Sequence, residues 1–146
     1  MANTSPNSFK KMLLKGDITS LSDTFKIILM KAGFTFDKDT HHAYANVSTN
    51  EVANGLGYTT GGQELAGVSL DINNANDTAT LSWTYAEWTA AGGSLVASGA
   101  IIYDDSTATP GDDYADAIVS YIDFGETKTV LDGTLLRIQN LSAVIT

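Results

Sequence analysis

Apolar residues in this chain recur at every second position, in short runs closed by Gly, Asn or Asp. The clearest run is TATLSWTYAEWTA, residues 78–90, where Ala79, Leu81, Trp83 and Tyr85 alternate with Thr80, Ser82, Thr84 and Ala86. A period of two puts alternate side chains on opposite faces of an extended strand. Leu81, Trp83 and Tyr85 then share the core face. Trp88 has the other parity and is the candidate for an exposed or interfacial ring. The run predicts a half-buried strand, and the chain holds several more like it.

TFKIILM (24–30) is apolar on both faces, with Phe25, Ile27 and Leu29 on one and Ile28 and Met30 on the other, which predicts a central strand. ELAGVSLDI (64–72) sets Ala66, Val68, Leu70 and Ile72 on one face. LVASGAIIYDD (95–105) reads as one strand or a bent pair. AIVSYIDFG (117–125) splits into Val119 and Tyr121 against Ile118, Ile122 and Phe124. LLRIQNLSAVIT (135–146) closes the chain, with Leu136, Ile138 and Ala143 inward. Turns carrying Gly61-Gly62, Asn73-Asn74, Gly92-Gly93 and Asp132-Gly133 separate these runs.

Helical signal is confined to the first third. Ser8 precedes FKKMLLKG, where Phe9, Met12 and Leu13 fall at helical spacing and Gly16 follows as a stop. One or two short helical turns are expected in 37–55, one from His41 to Ala45 and one where Ser48 and Glu51 fit a capping box. Strands and helices do not alternate, so a doubly wound parallel sheet is excluded. The expected fold is all-β and mostly antiparallel: one β-sandwich domain over 1–146, jelly-roll-like, with 1–16 as an N-terminal arm and short helix.

Composition narrows the chemistry. With no cysteine, disulfide frameworks, zinc–thiolate sites and catalytic thiols are excluded. Thr, Ser and Asn are abundant, whereas only 17% of residues are charged, which disfavours a helical bundle. Eight Lys and Arg stand against 17 Asp and Glu, a net charge of −9, and Arg137 is the one arginine. That balance disfavours nucleic acid, because phosphate contacts need clustered cations. The charge is uneven. Residues 1–38 hold six lysines and three acids (+3), and residues 39–146 hold two basic and 14 acidic residues (−12). Two different faces are therefore expected. No apolar run is long enough for a transmembrane helix, and the first thirty residues lack the segments of a signal peptide, so no membrane partner and synthesis in a cytoplasm are expected.

Candidate sites are few. Asp104, Asp105, Asp112, Asp113 and Asp116 lie in one stretch and could coordinate Ca²⁺, which takes six to eight oxygens, although their spacing is not that of an EF-hand. A solvated acidic loop is the simpler reading. His41 and His42 are adjacent, so their side chains diverge, and they are not expected to hold a metal. No nucleophile elbow, HExxH pair or phosphate-binding loop occurs, so neither catalysis nor a cofactor is expected.

The order of segments resembles a family of small virion proteins of tailed bacteriophages. The resemblance runs through 15–30, 34–65, 78–90, 100–105, 118–125 and 132–139. Its strongest pieces are DKDTH (37–41), GYTTGG (57–62), and IYD (102–104) followed by YIDFG (121–125). The segments 91–99 and 106–116 look longer than the family pattern. The resemblance implies a non-enzymatic particle protein, a capsid cement or decoration protein on the particle exterior. Its partners would be the major capsid protein or another virion protein, and it would act as a homo-oligomer, a dimer or trimer. In that role Phe9 would anchor the N-terminal segment on an acidic surface, with Lys10, Lys11 and Lys15 steering. A self-docked N-terminal helix is the other outcome at that position. The alternative function is a receptor- or glycan-binding module of a tail or head fibre, using Trp88 and the 104–116 loop.

Overall fold

A computed structural model describes residues 2–106 and 113–146. The elements in chain order are β1 (Ala2–Thr4), α1 (Asn7–Lys15), β2 (Phe25–Met30), α2 (Tyr44–Val47), β3 (Gln63–Glu64), β4 (Ser69–Asn73), β5 (Thr78–Ser82), β6 (Ala86–Thr89), β7 (Leu95–Asp104), β8 (Ala117–Val130), β9 (Leu135–Ile138) and β10 (Ser142–Ile145). A 3₁₀ turn over Ser48–Asn50 follows α2. The fold is all-β, and every strand pairing among the described residues is antiparallel. Three sheets form, in the orders β1-β8-β7-β2-β3, β10-β5-β4 and β6-β9.

The doubly apolar pattern of β2 is explained by its place. The strand lies between β7 and β3, and both faces of its sheet are covered. On one face Phe25, Ile27 and Leu29 join a cluster with Leu81 of β5, Trp88 of β6, Ile138 of β9 and Ala143 of β10. On the other, Ile28 and Met30 pack with Ile101, Tyr103 and Val47, under Phe34, Phe36 and Tyr44. The segment between β2 and β3 therefore acts as a second lid on the large sheet.

Three assignments made from alternation are corrected. The run 78–90 is two strands, not one. β5 pairs with β4 and β10, β6 pairs with β9, and the chain changes sheet at 83–85. That change shifts parity by one. Trp83 stays inside, Tyr85 is 52% exposed, and Trp88 is buried. Tyr85 is thus not core, and Trp88 is not the exposed ring. In β8, Val119 joins Ile122 and Phe124 on one side, and Ile118 joins Tyr121 on the other. A register shift opposite Ile102 and Tyr103 inserts an unpaired residue there, which breaks simple alternation. The closing run is also two strands, β9 and β10, parted at Asn140, which adopts a left-handed backbone (φ 57°).

Candidate functional site

The N-terminal helix is docked into its own domain. Phe9 and Met12 are fully buried in the main core cluster. Gly16 ends the helix in a left-handed conformation, its N–H donating to Met12 and Leu13. Pro6, rather than Ser8, occupies the cap position, and Ser8 is buried within the first turn. Phe9 is therefore corrected from a docking anchor to a core residue, because its ring fills space between the sheets. Two of the three lysines also face inward partners. Lys11 Nζ lies 2.7 Å from Asp113, and Lys15 Nζ lies 3.0 Å from Asp17 and 3.2 Å from Asp113. The two ammonium groups hold the Asp113 carboxyl below its ordinary range, and Asp113 in turn raises Lys11. Lys10 forms no ion pair among the described residues. On the same outer side, Leu14 is 92% exposed, four residues along the helix from Lys10.

The four described acidic residues of the stretch, Asp104, Asp105, Asp113 and Asp116, do not gather into one site. Asp112 lies outside the described residues. Asp104, at the end of β7, is fully buried and accepts from the Ser106 N–H at 2.8 Å. Burial, together with a hydrogen bond to the Asp23 carboxyl, pushes its pKa up to about 7. Asp105 pairs with Lys26 at 2.9 Å, and Asp113 with Lys11 and Lys15. Asp116 is half-buried with a left-handed backbone (φ 50°), and burial raises its carboxyl. Among the described residues no three His, Cys, Asp or Glu side chains could hold a metal ion. The described members of the stretch are thus carboxylates in separate surroundings, with Asp104 near Asp23, Asp105 on Lys26 and Asp113 on Lys11 and Lys15. His41 Nδ1 accepts from the Asp37 N–H, and the His41 ring stacks on Phe34, while His42 stacks on Tyr114.

Glu51, which local pattern reads as one end of a capping box, is the centre of the most organised polar group among the described residues. Glu51 is buried, and its carboxylate accepts from the Tyr44 hydroxyl (2.5 Å), the Tyr58 hydroxyl (2.5 Å) and the Gly61 N–H (2.7 Å). Tyr58 Oη also accepts from the Leu29 N–H. Burial and the adjacent Glu51 push the Tyr44 phenol up to about 12 and raise the Tyr58 phenol as well, so both remain donors. With every donor engaged, the cluster fastens the 44–61 segment to β2. Three donors from separate positions hold the carboxylate in place. The signal for it was the GYTTGG motif itself. Tyr58 and Gly61 supply donors, and Gly62 passes so close to β2 that a Cβ would sit 1.9 Å from the Ile27 carbonyl oxygen.

Two of the open grooves among the described residues are lined by aromatic rings. One, of about 660 Å³, runs between β1 and residues 34–39 and is lined by Phe34, Phe36 and Tyr121 with Asp37, Asp39 and Asp123. Phe36 is stacked on Tyr121 with centroids 5.0 Å apart. The other, of about 490 Å³, is lined by Tyr85, Thr84, Gln139 and Asn140 among others. The guanidinium of Arg137 lies 4.6 Å over the Tyr85 ring and also pairs with Glu87. No helix among the described residues is long and apolar enough to cross a membrane. No family model, curated protein or solved structure matches the chain.

Proposed function

We propose that this is a structural protein of a tailed-bacteriophage particle, a capsid cement or decoration protein. In this reading it binds the assembled shell from outside in many copies, on the major capsid protein or another virion protein, and it is not an enzyme. The packing of the large sheet against the two smaller ones is read as a β-sandwich of jelly-roll-like kind. The observation that carries the reading is the outer face of α1, where Leu14 projects almost fully exposed beside Lys10. An apolar anchor next to a cation suits an acidic protein surface. Leu14 takes the part that Phe9 cannot fill. A protein that binds only the assembled shell stabilises it by mass action, with no catalytic step. Particles of the encoding phage, probed with gold-labelled antibody to this protein, test the assignment. Label distributed over the shell supports it. Particles without label overturn it.

A second reading, a glycan-binding module of a tail or head fibre, is favoured by the groove between β1 and residues 34–39. Rings beside carboxylates can stack on a sugar and accept from its hydroxyls. Trp88 does not serve that reading, being buried. Label confined to fibres, with binding on a glycan array that Phe36→Ala abolishes, would move the assignment there.

A further inference from the structure

A free sheet edge presents unpaired N–H and C=O groups, and proteins usually shorten, charge or cover such edges. Among the four edges of the two larger sheets, three follow that practice. β3 has two residues and β1 has three. β10 is crossed by Asn3, whose Nδ2 donates to the Ser142 carbonyl (3.2 Å) and hydroxyl (2.9 Å). β4 does not follow it. Among the described residues it is paired only with β5, and all five of its residues are exposed. Leu70 is 50% exposed and Ile72 75%. The stretch 67–74, GVSLDINN, contains no Lys, Arg or Pro. Leu70 opposes Leu81 and Ile72 opposes Ala79, so both share the face that buries Leu81. The apolar face therefore runs on past its own cover.

We propose that β4 is the seam of a two-fold dimer of this chain, paired antiparallel with its counterpart about Leu70. The pattern of 68–72, Val-Ser-Leu-Asp-Ile, is self-complementary about its centre. In that register Leu70 faces Leu70 of the partner subunit, and Val68 faces Ile72 of the partner subunit, all on one side. On the other side Ser69 faces Asp71 of the partner subunit, a hydroxyl against a carboxylate. Centring on Asp71 instead would set two carboxylates directly opposite, which destabilises a strand pair. Centring on Ile72 would set Leu70 against Asn74. The result is a continuous six-stranded sheet, β10-β5-β4 joined to its copy. An unrelated strand could supply the backbone ladder but not this side-chain match. A second copy is also always at hand for a protein bound in many copies; that last argument alone rests on the particle reading above.

Sedimentation equilibrium of the full chain tests the seam independently of any particle. A dimer with a micromolar Kd is expected, and Leu70→Lys and Ile72→Lys should each weaken it at least tenfold while leaving the Tm of the dilute monomer, well below that Kd, unchanged, since both side chains are exposed in the monomer. The chain has no cysteine, so a single introduced thiol reports the register. Leu70→Cys should cross-link to itself on oxidation, because opposed Cα atoms fall within disulfide reach. Ile72→Cys should not, its counterpart lying about 13 Å away along the strands. A chain that stays monomeric up to about 1 mM, a dimer indifferent to both lysine variants, or cross-linking at 72 and not at 70 would each overturn the proposal.

Discussion

Glu51 ties three parts of the chain together, and removing it should cost more than any surface change. Glu51→Ala leaves the Tyr44 and Tyr58 hydroxyls and the Gly61 N–H without their acceptor. Unsatisfied buried groups cost roughly 1–3 kcal/mol each, so a loss of about 3–5 kcal/mol in urea unfolding is expected after relaxation. Tyr58→Phe, which removes one donor, should cost about 1–2 kcal/mol. Gly62→Ala should be at least comparable to the glutamate loss, because the residue has φ +73° and its Cβ would meet the Ile27 carbonyl oxygen. Asp104 gives the stability curve a direction in pH. Its folded pKa of about 7 lies above the unfolded value of 3.8, so the folded state holds the proton more tightly. Its contribution is fully favourable below about 4, declines as pH rises towards 7, and is flat above. Asp104→Asn keeps an acceptor for the Ser106 N–H and cannot ionise. Unfolding free energies at pH 4.5 and 7.5 should therefore fall by roughly 2–4 kcal/mol less in the variant than in the parent.

At the scale of elements, α1 and β1 belong to the domain rather than to a detachable arm. Phe9 and Met12 are fully buried, and β1 pairs with β8 from Ala2 to Thr4. Deleting residues 1–16 would open the core, so the truncated chain should melt well below the parent. Phe9→Ala alone should cost about 3–5 kcal/mol. By contrast, Lys11→Ala should leave Tm almost unchanged, because its ion pair with Asp113 is solvated. Thermal melts of the three proteins separate these cases. The helix was legible in sequence because Phe9, Met12 and Gly16 mark a face and a stop. Whether that face met the chain's own core or another molecule depended on what lay opposite it, which spacing does not encode. The same holds for the strand run 78–90. Alternation located the strands, but the change of sheet at 83–85 reversed which ring went inside.

For the whole molecule, the described surface sets exposed apolar residues such as Leu14 and Ile72 among solvated charges. Under the proposed particle role, the double variant Lys10→Glu, Leu14→Asp should lower shell occupancy at least tenfold without lowering Tm. Quantitative gels of particles incubated with parent and variant would read this, and equal occupancy would remove α1 from the contact. The acidic stretch illustrates how little of a site charge density alone defines. Asp104, Asp105 and Asp113 are neighbours in sequence, yet their partners are Asp23, Lys26 and Lys11 with Lys15, three separate places in the fold.

Local pattern alone was enough to set the class of fold. Period-two runs, turn residues at their ends and a scarcity of helix formers leave an antiparallel all-β chain, because those are local preferences of backbone and side chain. It also determined that β2 is buried on both faces, since an apolar residue at every position but one leaves neither face for water. Long-range packing settled which rings are core, where Phe9 and the lysines point, that Glu51 is a buried acceptor, and that β4 pairs only with β5 among the described residues. Each of these depends on contacts between residues far apart in the chain. A parity shift of one residue, or a neighbour 30 or 100 positions away, reverses burial without altering any local pattern.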